Sequence, residues 1–206
     1  MMTRTLAVVS AGLSVPSSTR LLADRLTDAT VTALAERGVE VRPEVVELRE
    51  HARDLADHLV TGFPNAALRP VLDTVAGADA LIAVTPIFSA SYSGLFKTFV
   101  DVLDREALTG TPVLLGATAG SARHQLALDH ALRPLFAYLH ATVVPTGVFA
   151  AAEDWGASGA SRELGDRITR AAGELADLVA GRSPTGRATD PFADPTPFEA
   201  LLRGEA

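Results

Sequence analysis

Three short stretches of this chain are small, polar and rich in hydroxyls, and each begins where an apolar run ends. The first is SAGLSVPSSTR, residues 10–20. It leads into a helical pattern. A helix start carries free backbone N–H groups and a partial positive charge, which together favour a bound phosphate. Ser10 stands at its beginning, Ser17, Ser18 and Thr19 add hydroxyl donors, and Arg20 adds a cation. There is no GK[ST] of a Walker A loop and no GxGxxG dinucleotide turn, so the set suits a single phosphate group. The same residues would also serve simply to cap the helix.

The second stretch is TPIFSASYSG, residues 85–94. Pro86 holds the chain extended as it leaves the run. The small residues that follow would let backbone amides approach a planar ring, with Phe88 or Tyr92 beside it; ordinary packing is the alternative for either aromatic. Lys97 offers a cation one turn later, though an exposed lysine is the plainer reading. The third stretch is TAGSARH, residues 118–124. Gly120 permits close backbone approach, and the N–H groups ahead of the next helix could bond a ring carbonyl. A Gly-Ser turn that caps the helix is the competing reading.

Elements that alternate regularly would position these loops. TLAVVS (residues 5–10), VEVRPEVVEL (39–48), DALIAVT (79–85), PVLLGAT (112–118) and TVVPTGVF (142–149) read as strands, the last broken by Pro145 and Gly147. Between them, Leu22, Leu26, Ala29 and Ala33 mark one helical face, and Gly38 stops that helix. Residues 51–76 read as a charged helical stretch, a turn near residues 62–65 and a second helix. Leu95, Phe96, Phe99, Val100 and Leu103 mark the next face, then Leu128, Leu132, Leu135 and Leu139, then Leu164, Ile168, Leu175 and Leu178. Five alternations of short apolar strand and helix predict an α/β fold with a doubly wound parallel sheet covered on both faces. Pro43 favours an edge position for the second strand, hence the order 2-1-3-4-5. Ligands then bind beyond the carboxyl ends of the strands, where the three loops lie.

Composition narrows the function classes. The chain has 206 residues, 48% hydrophobic and 21% charged, and a formal net charge of -7. An acidic chain disfavours nucleic acid as a partner. No apolar run approaches the ~20 residues of a membrane span, and the opening MMTRTLAVVSAG has no secretory h-region. There is no cysteine, which excludes disulfides, thiolate metal sites and a cysteine nucleophile and fits a cytoplasmic protein. His51, His58, His124 and His140 show no triad or HExxH spacing, so neither a catalytic residue nor a metal site is assigned. Residues 1–182 read as one domain. Residues 183–206, rich in proline and small polar residues, read as an extended tail whose Phe192, Phe198 and Leu201 could dock on another subunit or a partner enzyme.

TPIFSASYSGLFKTFVDVL and LGATAGSARHQLALDHALRPLFAYLHATVVPTGVF make the chain specific. They resemble the two signatures of the NADPH-dependent FMN reductases, and most closely the flavin reductases that serve sulfonate or luciferase-like monooxygenases. The resemblance covers about residues 4–180 and implies a flavodoxin-like fold, FMN with NADPH or NADH, and hydride transfer from nicotinamide to flavin. It further implies a flavin-dependent monooxygenase as recipient of reduced FMN, and a homodimer or homotetramer. By position, Ser10, Ser17, Ser18, Thr19 and Arg20 match the segment for the FMN phosphate. Thr85, Pro86, Ile87, Phe88 and Ser93 match the loop along the ribityl chain and ring; Thr118, Ala119, Gly120 and Ser121 match the pyrimidine end. Two departures stand out: the first loop lacks the family's early arginine, and Ala119 replaces a common second glycine. On the same fold, a quinone or azo reductase and a flavodoxin-type electron carrier are the alternatives. Pro134, inside a helical pattern, removes a helical N–H and predicts a kink or a π-bulge. His130 matches the place where sulfonate-type reductases carry a π-helical turn at a subunit interface, which implies a role in oligomerisation or flavin release.

Overall fold

Short valine- and alanine-rich runs form the centre of the sheet because their side chains are apolar in both directions. The computed structural model describes residues 3–156, 159–182 and 203. The strands are β1 (Arg4–Ser10), β2 (Val41–Glu47), β3 (Ala80–Phe88), β4 (Ser91–Tyr92), β5 (Pro112–Ala119), β6 (Thr142–Val143) and β7 (Val148–Ala151). The principal helices are α1 (Ser18–Glu36), α2 (Ala52–Thr61), α3 (Arg69–Ala76), α4 (Gly94–Asp101), α5 (Arg133–Tyr138) and α6 (Gly159–Ala180).

The sheet runs β2-β1-β3-β5-β6, and every pairing along that path is parallel. β6 pairs with the start of β5 and β7 with its end, so the two share the fifth position, broken where Pro145 and Gly147 intervene. This is the doubly wound flavodoxin-like order expected from the sequence. Pro43 does lie on the edge strand, opposite Leu6. Leu6, Val8, Ile82 and Val84 face one layer with Leu22, Leu26, Leu164 and Leu175; Ala7, Val9, Leu81 and Ala83 face the other with Phe96 and Phe136. The Phe96 and Phe136 rings, fully buried, are 6.2 Å apart. Truncating either to alanine would cost about 3–5 kcal/mol. No helix among the described residues is long and apolar enough to cross a membrane.

Two places depart from simple alternation. β3 runs on through Pro86 and turns back into β4, pairing Ile87 with Tyr92 and Phe88 with Ser91. The turn is Ser89 and Ala90, with φ of 48° and 68°. Hairpin turns with both central residues left-handed usually carry Asn-Gly or Asp-Gly, so a polar loop was the natural reading of SAS. The second departure is the stretch before Pro134. It is a 3₁₀ turn (Ala122–His124), a π-helix (Leu128–Leu132) and then α5. The Arg133 N–H donates to the Leu128 carbonyl, five residues back. The wider register falls immediately before the residue that has no N–H to donate. The proposed tail, residues 183–206, lies outside the described residues apart from Arg203.

Candidate active site

The carboxyl ends of β1, β3 and β5 bring the three hydroxyl-rich loops together. A cavity of about 260 Å³ opens there. Ser17, Ser18 and Thr19 line it from the start of α1, Pro86, Ile87 and Phe88 from the end of β3, and Thr118, Ala119 and Gly120 from the end of β5. Nine of the residues singled out from the sequence thus share one wall. Phe88 is 49% exposed at the rim. Tyr92 instead packs on Phe96, their ring centroids 6.1 Å apart, and belongs to the core.

Local sequence explains why each loop holds its shape. Ser17 is the N-cap of α1, its Oγ accepting from the Arg20 N–H at 3.2 Å. Gly12 lies under it, and a Cβ there would overlap Ser17 Oγ and stand 3.1 Å from Ser17 Cβ and 3.2 Å from Thr19 Cβ. The loop can fold this tightly over the helix start only without that atom. The Ala11 N–H donates to Val84 O at 2.9 Å, which fixes the loop to β3. Thr19 and Thr118, both buried, share a hydroxyl hydrogen bond of 2.8 Å that couples the first loop to the third.

Five expected residues do not line the cavity. Ser10 is buried at the end of β1. Thr85 and Ser93 brace the second loop: Thr85 Oγ1 accepts from the Ser93 N–H at 3.1 Å, and Ser93 Oγ caps α4 by accepting from the Phe96 N–H at 3.2 Å. Ser121 is half-buried one residue beyond the lining. Arg20 turns away. Its guanidinium donates to Asp24 at 2.7 Å and to Glu47 on β2 at 2.5 Å. The hydrogen bond to Asp24 raises the Arg20 pKa above its ordinary value, against burial, with the charges of Asp24 and Glu47 adding to it. Burial tends to raise the Glu47 pKa, but the hydrogen bonds and charges of Arg49 and Arg20 outweigh it and hold the carboxyl below its usual range. Lys97 is likewise engaged, with Asp101 at 2.6 Å, away from the cavity. Replacing Arg20 with glutamine is therefore expected to change the Kd for FMN less than about threefold, since its guanidinium is held in partly exposed pairs and does not line the cavity. A rise beyond tenfold in a fluorescence titration would return Arg20 to the site.

Leu13 and Ser14 line the cavity and were not singled out from the sequence. They lie inside the same hydroxyl-rich loop, so composition pointed to the segment but not to them.

The arrangement has a clear chemistry. Hydroxyls and the open N-terminus of α1 offer neutral donors and a dipole to an anion, with no lysine or arginine in the lining. Ile87, Pro86 and Phe88 offer an apolar edge, and the Ala119–Gly120 backbone offers amides. Hydroxyl donors at a helix start beside an apolar edge have the chemistry to hold a flavin mononucleotide. Among the described residues no group of three or more His, Asp or Glu could hold a metal ion.

Comparison with known proteins points the same way. Residues 4–156 match the family described as NADPH-dependent FMN reductase. An FMN reductase (NADPH) of Pseudomonas aeruginosa is 40% identical over 176 residues, 85% of this chain and 92% of that protein. The NADH-dependent FMN reductase SfnE of Pseudomonas putida is 44% identical over 142 residues, 69% of this chain and 74% of its own length. Among solved structures, an oxidoreductase from Corynebacterium diphtheriae superposes with a TM-score of 0.86 at 50% identity, covering 89% of this chain and all of that one.

Proposed function

Since the chain belongs to the NADPH-dependent FMN reductase family, we propose that its three-loop cavity binds FMN as a substrate and supplies reduced FMN to a flavin-dependent monooxygenase. One observation carries the assignment of the site: hydroxyls at a helix start, an apolar edge and a glycine-containing turn converge at the carboxyl ends of three adjacent strands. The reaction moves a hydride from the nicotinamide of NAD(P)H to the flavin ring and takes one proton from water, giving NAD(P)+ and reduced FMN. The protein's part is to bind and orient. Ser17, Ser18, Thr19 and the first N–H groups of α1 hold the phosphate. Pro86, Ile87 and Phe88 flank the ring and ribityl chain, and Ala119 and Gly120 face the pyrimidine edge. Thr85 and Ser93 brace the second loop from behind. No side chain needs to act as acid or base for the hydride step.

Release of the product fits the open cavity and a grip without fixed cations. The reading is tested by NAD(P)H oxidation with and without added FMN, using dialysed protein. Oxidation that requires added FMN supports it. Oxidation sustained by retained flavin with a quinone acceptor, or no oxidation at all, contradicts it.

We further place the protein in the cytoplasm, consistent with a chain that has no cysteine, and read it as a homodimer or homotetramer. His130, exposed on the π-helical turn, is the residue assigned to subunit contact or flavin release. His130→Ala should lower the mass of the assembly in solution or alter the rate of FMN release. If both stay unchanged, the assignment fails.

A further inference from the structure

A second cavity lies on the same edge of the sheet, and the function above gives it no role. Its volume is about 420 Å³, larger than that of the flavin cavity. β5 ends at Ala119 and β7 at Ala151, so its position beside Ala122, Phe149 and Glu153 is again at carboxyl strand ends. The two cavities flank one short segment: Gly120 lines the first and Ala122 the second. The two cavities are thus neighbours along the strand-end edge.

The lining has three kinds of chemistry. Leu128 and Phe149 are buried and apolar, and Leu126, 60% exposed, stands beside them. Such a wall suits a flat heterocycle. Arg167 carries a buried Nε with no hydrogen-bond partner, while its terminal nitrogen donates to Phe149 O at 3.4 Å. A buried donor left unpaired is costly, and an acceptor on a ligand would remove that cost. The third feature is negative charge. Asp129 is paired with Arg133, and Asp154 accepts from the Ala151 N–H at 2.7 Å. Glu153 and Glu163, both exposed, have neither a hydrogen bond nor an ion pair among the described residues.

Resting on the FMN reductase reading, we propose that this second cavity receives the adenosine half of the nicotinamide dinucleotide, and that Glu153 and Glu163 select NADH over NADPH. A carboxylate accepts hydrogen bonds from a ribose diol, the rule that marks NAD sites in dinucleotide folds. The same carboxylate repels a 2′-phosphate, and like charges brought together at a binding surface are a strong means of rejection. Arg167 is the one cation in the lining, and Asp154 lies 3.8 Å from it. The donor named for the two relatives above differs, NADPH for one and NADH for the other, so the family does not decide the question for this chain.

The test measures KM and kcat for NADH, NADPH and reduced nicotinamide mononucleotide, which lacks the adenosine half, at saturating FMN. The wild type and Glu153→Lys/Glu163→Lys are compared. The wild type should show a KM for NADH about tenfold below that for NADPH, a modest discrimination for a like-charge contact. The double variant should reverse that order. Its kcat, and its KM for the mononucleotide, should stay within about twofold of wild type, because neither glutamate is in the flavin site; a general structural effect would move these as well. A wild type that uses NADPH at an equal or lower KM overturns the proposal, as does a variant that shifts all three donors together. If the wild type oxidises none of the three with FMN present, the FMN reductase reading itself fails.

Discussion

Replacing Ser17 with aspartate should weaken FMN binding at least about a hundredfold while leaving the protein as stable as before, or more so. Aspartate is as good an N-cap as serine, and a negative charge at a helix start interacts favourably with the dipole. The cap on the Arg20 N–H is therefore kept. The ligand meets a new carboxylate where its dianionic phosphate should rest. Two unit charges about 4 Å apart at an effective dielectric near 20 repel by about 4 kcal/mol, and solvent and relaxation reduce this to the two orders of magnitude expected. The outcome separates the two meanings of a hydroxyl-rich helix start. If Ser17 only caps α1, the variant binds FMN like wild type. Flavin fluorescence titration beside a thermal melt reads both quantities.

Gly12→Ala should lower both quantities. The added Cβ overlaps Ser17 Oγ and crowds Ser17 Cβ at 3.1 Å and Thr19 Cβ at 3.2 Å. Serine has no long side chain to bend away. If its hydroxyl rotates, the cap is lost, at about 1 kcal/mol. The loop cannot simply lift, because the Ala11 N–H is bonded to Val84 O. Stability should fall by about 1–2 kcal/mol, as for lost caps and local overpacking, and FMN affinity by about tenfold, the equivalent of 1.4 kcal/mol. Gly12→Ala/Ser17→Gly removes the overlap and keeps a tolerated N-cap. It should regain most of the stability but not the affinity, since a phosphate donor is gone. Full recovery of affinity would show that the Ser17 hydroxyl does not touch FMN.

Much of the fold could be read from the sequence because its strands are uniform. Runs such as LAVV and LIAV have no polar face, so only a sheet covered on both sides can hold them, and Pro43 marked the edge. The broken fifth strand and the altered helix before Pro134 were legible for the same reason: proline lacks an N–H wherever it falls. The hairpin at Ser89–Ala90 was not legible, because its left-handed residues are neither glycine nor asparagine and pairing to β3 imposes them. The loops of the site were found by their position at strand ends. Individual side chains were harder. Arg20 has Asp24 one turn along its own helix, a partner the spacing already offered, while strand pairing places β2 beside β1 and brings Glu47 to it from 27 residues away. Thr85 and Ser93 belong to the right loop yet spend their hydroxyls on each other and on a helix cap. Lys97 has its partner Asp101 one turn along the same helix, an i,i+4 spacing already present in the sequence.

If FMN passes through this protein as a substrate, a small amount of protein must reduce a large molar excess of FMN under anaerobic conditions. With NADH supplied and oxygen absent, flavin bleaching is followed to its end point. All added FMN should be reduced, one nicotinamide consumed per flavin, with a rate set by protein concentration. Bleaching that stops at one flavin per chain would show a tightly held group and contradict a reductase that releases its product.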